Sequence, residues 1–417
     1  MIDRFSLSVA IRHLLYYKGQ TLLTMGVVAV SVTLIIFLGA LIGGLQKRLI
    51  NSVTGAIPHV VIRQPEREPI AAWEVAPARD SVFYLGERVK LQQQKRKIED
   101  WQTWQQRLPS FSENIRAVSP VVEGQAFVNR NEKRKAVTVV GMFPEKHNEV
   151  VDIQSKLVRG RFFGLNGGEA VIGFKLADEF ALDLGDKIRV VSSEGNVANY
   201  TVAGIFDTGF NLVDSQTVFV PLRDAQSLFG VGNAVTTIGL KLRRIFEAKD
   251  LAQQIALQVP YETRSWMEDN QQLLSGLRAQ SQSSNLILVF TTIAAGFGIA
   301  SIMITSVVTR LREIGILKAI GATNRQILQI FAIEGTLLAF FGAIAGAIQG
   351  IALSLALYSI RTQVSETGRT AGVFPFDLTP DLVIRAIVIA VVVGLAASWY
   401  PSWRAARVNA IEVIRGV

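Results

Sequence analysis

The chain contains no cysteine, which excludes disulfides, cysteine metal sites and thiol catalysis. Histidine is almost as scarce. His13, His59 and His147 are scattered without ligand spacing and do not read as a zinc site. A Gly-x4-Gly-Lys-Ser/Thr phosphate loop is also missing, and the nearest stretches, Gly167-Gly168 and Gly173-Phe174-Lys175, lack the pattern. Charge is thin: 18% of the 417 residues are charged, against roughly 25% in an average soluble protein. The net charge of +9 sits largely beside long apolar runs, which argues for membrane orientation and against nucleic-acid binding.

What is present is apolar sequence, 49% of residues, with a mean hydropathy of +0.32. A helix crosses a bilayer core with about 20 apolar residues. Four stretches qualify: Gly19 to Gln46, Ala279 to Thr309, the run between Arg325 and Arg361 interrupted only by Glu334, and the run between Arg385 and Arg404. Four spans place both termini on one side. Arg4, Arg12 and Lys18, then Arg310, Arg312, Lys318 and Arg325, then Arg404, Arg407 and Arg415 mark that side as cytoplasmic.

The expected order is an interfacial amphipathic helix (1–18), a first span (19–46), a large extracytoplasmic domain with helical stalks (47–278) and a second span (279–309). A cytoplasmic turn (310–325), a third span (326–360), a short outer loop (361–381), a fourth span (382–403) and a cytoplasmic tail (404–417) complete it. In the first segment Leu7, Ile11, Leu14 and Leu15 fall at helical spacing between basic residues. In the third span Gly342, Gly346 and Gly350 form two overlapping GxxxG steps, a pattern for close helix contact.

The outer segment reads as a mixed α+β domain. Strand signals lie at Ala136–Gly141, Ile188–Val191, Tyr200–Phe206, Thr217–Val220 and Thr237–Leu242, separated by glycine-rich breakers. Arg88 to Leu108 reads as a helix, with Ile98, Trp101, Trp104 and Leu108 as a packing stripe, and Glu247 to Val259 as a second. Pro65 to Asp80 reads as a loop. Ser265 to Gln282 reads as a helical stalk running unbroken into the second span.

The turn between the second and third spans reads as a short charged helix ended by Gly321. Thr323 and Gln326 then have the spacing of a capping box for the next helix. Arg310 and Glu313 lie three apart and can pair, for about 0.2–0.5 kcal/mol. Such a helix suits either docking of a cytoplasmic partner or plain solvation. Glu334 is a carboxylate inside an apolar run, a functional candidate by position, although a structural role at the membrane interface suits it better.

Arg312-Glu313-Ile314-Gly315-Ile316-Leu317-Lys318-Ala319-Ile320-Gly321-Ala322 resembles the coupling-helix signature of the FtsX/MacB/Lol superfamily of ABC transporter permeases. The ending from Pro401 to Gly416 and the Glu334-Gly335 step are similar to the same family. The outer domain most resembles the lipoprotein-releasing branch, LolC and LolE. Ile57-Pro58-His59-Val60-Val61-Ile62, Arg159-Gly160-Arg161-Phe162, Leu184-Gly185-Asp186 and Val202 to Gly209 carry that likeness. Residues 64–109 depart from it.

The resemblance implies a MacB/LolC-like (type VII) permease of four transmembrane helices. Such a permease has no catalytic site and no cofactor of its own. Two copies of a separate ATPase, holding ATP and Mg, would dock on Arg310, Arg312, Glu313, Gly315, Lys318, Gly321, Ala322 and Arg325, and Lys318 could instead meet anionic lipid headgroups. The permease would pair with a second permease, identical or related, in the bacterial inner membrane, with its large domain in the periplasm. Its work would be mechanotransmission, drawing lipoproteins or lipids from the outer leaflet for a periplasmic carrier. Acyl chains would meet Met25, Val28, Val32, Ile36, Leu286, Phe290, Phe297 and Met303. Alternatives are MacB-like efflux through a membrane-fusion adaptor and an outer-membrane duct, and an FtsX-like regulator of a cell-wall hydrolase.

Overall fold

The computed structural model describes residues 4–65, 97–130, 132–363, 370–372 and 374–408. The chain divides into two compact units, Met1–Leu49 with Ser275–Val417, and Ile50–Leu274. In chain order, α1 (Arg4–Tyr16) and α2 (Lys18–Ala56) lead to β1 (Val60–Arg63), α3 (Trp101–Arg107), β2 (Ile115–Arg130), β3 (Lys133–Met142) and α4 (Pro144–Val150). Next come β4 (Leu157–Gly160), β5 (Glu169–Gly173), α5 (Phe174–Glu179), β6 (Lys187–Ser192), β7 (Val197–Phe206), α6 (Asn211–Gln216), β8 (Thr217–Pro221) and α7 (Leu222–Phe229). The chain continues with β9 (Thr237–Leu242), α8 (Ala248–Ala256), β10 (Glu262–Ser265), α9 (Trp266–Asp269) and α10 (Gln271–Thr309). It closes with α11 (Leu311–Ala319), α12 (Asn324–Tyr358), the pair β11 (Arg361–Gln363) and β12 (Thr370–Gly372), and α13 (Pro380–Ala406).

Among the described residues, four helices, α2, α10, α12 and α13, are long and apolar enough to cross a membrane. α12 is the centre of its unit: half of its apolar window is buried, against 11% for α10. The burial follows the small residues. A Cβ added at Gly342 would stand 2.8 Å from Val28 Cβ, and one at Gly346 2.9 Å from Val32 Cβ and against the Ala29 carbonyl. The α2 backbone therefore seats on the glycine stripe of α12, and Thr33 Oγ1 donates to Gly346 O at 3.0 Å. On another side of α12, Gly335 meets Ser398 and Ala339 meets Gly394, both of α13.

α1 packs on α12 through its small residues. Ser6 and Ala10 are fully buried, while Leu7, Ile11 and Leu15 are exposed. Three residues of the expected apolar stripe thus point away from the protein, where lipid can meet them, while Leu14 is half-buried against the helix core.

The second unit is built on a ten-stranded mixed sheet, ordered β10-β1-β9-β2-β3-β8-β5-β7-β4, with β6 joining β2 and β7. β2 links its two halves. Residues Ile115–Val121 pair with β9, and Val122–Arg130 pair with β3. Pairings β3–β8 and β5–β7 are parallel and the other strand pairings in this sheet antiparallel. One core gathers Val60, Ile62, Leu240 and Trp266 with the α7 and α8 faces, and a smaller one surrounds Met142, Phe162, Phe206 and Phe219.

Three sequence expectations change here. α2 continues past Gln46 to Ala56, because Leu49, Ile50 and Val53 extend its helical period. The Ser265 stalk is not continuous. A Ser265–Glu268 capping box opens the one-turn α9, and Asn270 (φ −113°, ψ 34°) interrupts the helix before α10 begins. The Trp266 carbonyl accepts from both Asn270 N–H, at 3.0 Å, and Asn270 Nδ2, at 2.9 Å, which holds the break in place.

The expected helix at 88–108 begins only at Trp101 within the described residues, and 88–96 lie outside them. Ile98 instead exchanges backbone bonds with Val235. The stripe still packs inward, with Ile98 and Leu108 fully buried. The loop expected at 65–80 lies outside the described residues from residue 66 on, as do 409–417 of the tail.

Candidate functional site: the charged turn and its buried network

α10 and α11 do not join smoothly. Arg310 (φ −106°, ψ 12°) breaks the helix and becomes the N-cap of α11. The break turns its side chain inward, leaving Arg310 2% exposed. Arg310 Nη1 donates to Glu334 Oε1 at 2.9 Å and to Oε2 at 3.2 Å. The Tyr17 ring covers the guanidinium, 4.1 Å from Cζ to the ring centroid. Tyr17 O–H donates to Glu313 Oε1 at 2.6 Å. His13 Nδ1 stands 3.5 Å from Glu334 Oε2. One network thus ties α1, the α1–α2 junction, α11 and α12 together.

This overturns two expectations. Arg310 pairs with Glu334, and Glu313 with Tyr17, so the i, i+3 ion pair of the turn does not form. A buried carboxylate must be paired, and an intramolecular guanidinium does this better than a neighbour that water already solvates. Arg310 is accordingly not part of the exposed face of the turn.

Lys318 is also engaged internally. Its Nζ donates to the carbonyls of Ala406 and Val408, each at 2.7 Å. These close the C-terminus of α13, where open carbonyls and the helix dipole favour a cation. Lys318 therefore anchors the fourth apolar helix rather than meeting a partner or a headgroup. Desolvation in this position lowers its pKa.

α11 ends as its sequence implies. Gly321 takes φ +110°, Gly321 N–H donates to Lys318 O, and Ala322 N–H to Leu317 O. This Schellman closure requires glycine at the left-handed position. Thr323 and Gln326 then form the capping box of α12. Gly315 and Ile314 are buried, whereas Arg312, Ile316, Ala319, Ile320, Gly321 and Arg325 are exposed. Arg312, Ile316 and Ile320 recur at i, i+4 and i+8, with Ile316 48% and Ile320 80% exposed. Arg312, Ile316 and Ile320 thus present an apolar, basic-flanked stripe on one face of a short helix that is fixed from behind. The two isoleucines were missed in sequence because their motif reads as one block, with no sign of which face looks outward.

The residues expected to meet acyl chains separate into two groups. Val28, Val32 and Ile36 are buried, and Met25 is half-buried, along the α12 glycine stripe. Met303 is buried as well. The four α2 residues pack on α12, because glycine at 342, 346 and 350 leaves room only for a helix lying directly against them, and Met303 belongs to the same helix core. Leu286, Phe290 and Phe297 are 59%, 68% and 73% exposed and, with Ile293, line one face of α10. Among the described residues no cluster of three or more metal-ligating side chains occurs.

A braced charged turn, long apolar helices and a large strand-rich domain together have the make-up of a membrane permease. A family model described as MacB-like periplasmic core domain matches residues 21–257, and one described as FtsX-like permease C-terminal matches 285–410. The chain belongs to the FtsX/MacB/Lol family of ABC transporter permeases, which work with a partner ATPase.

It is 25% identical over 360 residues to the lipoprotein-releasing system transmembrane protein LolC of Xylella fastidiosa (strain 9a5c), covering 81% of this chain and 86% of that one. It is 29% identical over 155 residues to the macrolide export ATP-binding/permease protein MacB of Syntrophobacter fumaroxidans, covering 37% and 20% respectively. Among solved structures, the periplasmic region of MacB from Actinobacillus actinomycetemcomitans aligns with 54% of this chain and 95% of that one, at 12% identity and a TM-score of 0.33.

Proposed function

We propose that this chain is the permease subunit of an ABC transporter that extracts lipoproteins or lipids from the outer leaflet of the bacterial inner membrane. Four spans hold it there, with both termini cytoplasmic and the strand-rich domain in the periplasm. A second permease, identical or related, completes the membrane unit. Two copies of a separate ATPase bind ATP and Mg and dock on α11. Their closing moves α11, and with it α10 and α12, and a periplasmic carrier receives the cargo. The LolC relatives, similar over most of their length, support the release reading.

The observation that carries the coupling role is the exposed stripe Arg312, Ile316 and Ile320 on a helix fixed from behind by Glu313–Tyr17, Arg310–Glu334 and Lys318. Arg325 extends the same exposed segment. A docking surface transmits movement only if its back is braced.

The test is co-purification of the ATPase with Ile320→Asp and Arg312→Glu permeases from membranes. Both variants should insert normally and lose most of the bound ATPase, at least tenfold, equivalent to about 1.4 kcal/mol or more of interface energy. Retention at the wild-type ratio would remove α11 from the interface. Release is then measured with labelled lipoprotein in proteoliposomes. If lipoprotein stays in the membrane while a small amphiphile is exported through an adaptor, the MacB-like reading replaces this one.

A further inference from the structure

α2 ends at Ala56, and its last carbonyls need donors from beyond the helix. The Thr54 carbonyl would take the N–H of residue 58, but that residue is Pro58, which has none. His59 and Lys241 supply the bonds instead. His59 Nε2 lies 3.2 Å from Thr54 O, and Lys241 Nζ donates to the same oxygen at 2.9 Å. The other ring nitrogen, Nδ1, accepts from Leu242 N–H at 3.1 Å, so the ring proton resides on Nε2.

The backbone of His59 is equally committed. Its N–H donates to Leu240 O at 2.8 Å, and its carbonyl accepts from Trp266 N–H at 2.9 Å. Trp266 opens α9, the turn that precedes α10. Its Nε1 donates to Ile245 O at 3.0 Å. His59 thus joins three things: the end of α2, strand β9, and the start of the segment entering α10. The ring is 2% exposed. Burial, with the nearby Lys241 charge, pushes its pKa down to about 4, so the neutral tautomer persists at physiological pH.

We propose that His59 is a positioning residue for mechanotransmission: a rivet that locks both helical stalks to one strand, so that stalk movement reaches the sheet undiminished. This rests on the movement reading given above. His147 is the comparison within the same unit. It too is buried, but its ring has one polar partner, Ser119 Oγ at 3.2 Å, and bonds to neither stalk.

The lack of native cysteine makes a two-cysteine spin-label experiment direct. Labels go at Asn51, exposed on α2, and Lys187, exposed on β6, in the full permease–ATPase complex in lipid. Without nucleotide, the wild-type chain should give one narrow distance population, and His59→Leu should lose it to a broad or split one. His59→Gln, which can donate to Thr54 and accept from Leu242, should restore the narrow population, and His147→Leu should keep it. Lys241→Met, which removes the second donor to Thr54, should broaden it and serves if His59→Leu does not assemble.

A narrow population in both His59→Leu and Lys241→Met, or equal broadening in His147→Leu, would overturn the rivet. The movement reading is tested separately, by the spacing between Lys187 labels on the two permeases with and without ATP. No change there overturns the reading on which the rivet's function rests, whatever the nucleotide-free comparison gives.

Discussion

Arg310 and Glu334 are each 2% exposed and bonded to one another through two oxygens, with His13 and the Tyr17 ring beside them. Removing one partner leaves a buried, uncompensated charge, which costs about 3–5 kcal/mol, whereas replacing both with apolar residues is often close to neutral. Arg310→Ala and Glu334→Ala should therefore each destabilise the permease strongly, and Arg310→Met with Glu334→Leu should recover most of the loss. Thermal denaturation of the four proteins in one detergent measures the two losses and the recovery. Single-variant losses below about 1 kcal/mol, the scale of a solvated surface pair, would contradict the buried-pair account. Half of this pair was legible in sequence: a lone carboxylate in an apolar run signals a required partner. The partner was not, because Arg310 reads as the first residue of a charged turn. Only the backbone break at that position turns it inward.

At the scale of elements, the α2–α12 seam is where sequence and structure agree most closely. Glycines four apart predict a helix lying against the stripe, and α2 lies there. The identity of the facing helix was not legible, since all four apolar runs offer suitable side chains, and this is why Val28, Val32 and Ile36 were expected at an acyl-chain surface. The seam gives a sharp expectation. Gly346→Val places methyls into the Ala29 backbone and the Val32 side chain, and overpacking of this kind costs about 1–3 kcal/mol. Gly26→Ala, with no atom within 4 Å of the new Cβ, should be neutral or gain up to about 1 kcal/mol of helix propensity. The yield of monodisperse protein and its melting temperature should fall for the first and hold for the second. Equal behaviour of the two would mean that the seam does not decide assembly.

At the scale of the molecule, two units are linked by helices that continue from one into the other, α2 and α10. The broad plan, apolar helices around a strand-rich insert, was legible because membrane thickness and strand alternation impose periods on the sequence. The long β2 and the Asn270 break were not, since pairing with distant strands and the local backbone turn at one residue make them. What the chain leaves uncovered is one face of α10, where Leu286, Phe290, Ile293 and Phe297 recur at helical spacing and α10 is the least buried of the four apolar helices. Lipid alone would tolerate such a face, but two exposed aromatic rings on one line of the helix also suit a partner span and the acyl chains held beside it. With no native cysteine, Phe290→Cys and Phe297→Cys can be oxidised in membranes without background. Both should form a covalent product between two permeases, of homodimer mass if the partner is a second copy and of distinct mass if it is a related chain. Ile348→Cys, 64% exposed on α12, should remain monomeric under the same oxidation. Cross-linking at 348 with none at 290 or 297 would move the permease seam from α10 to α12 and leave the α10 face to lipid.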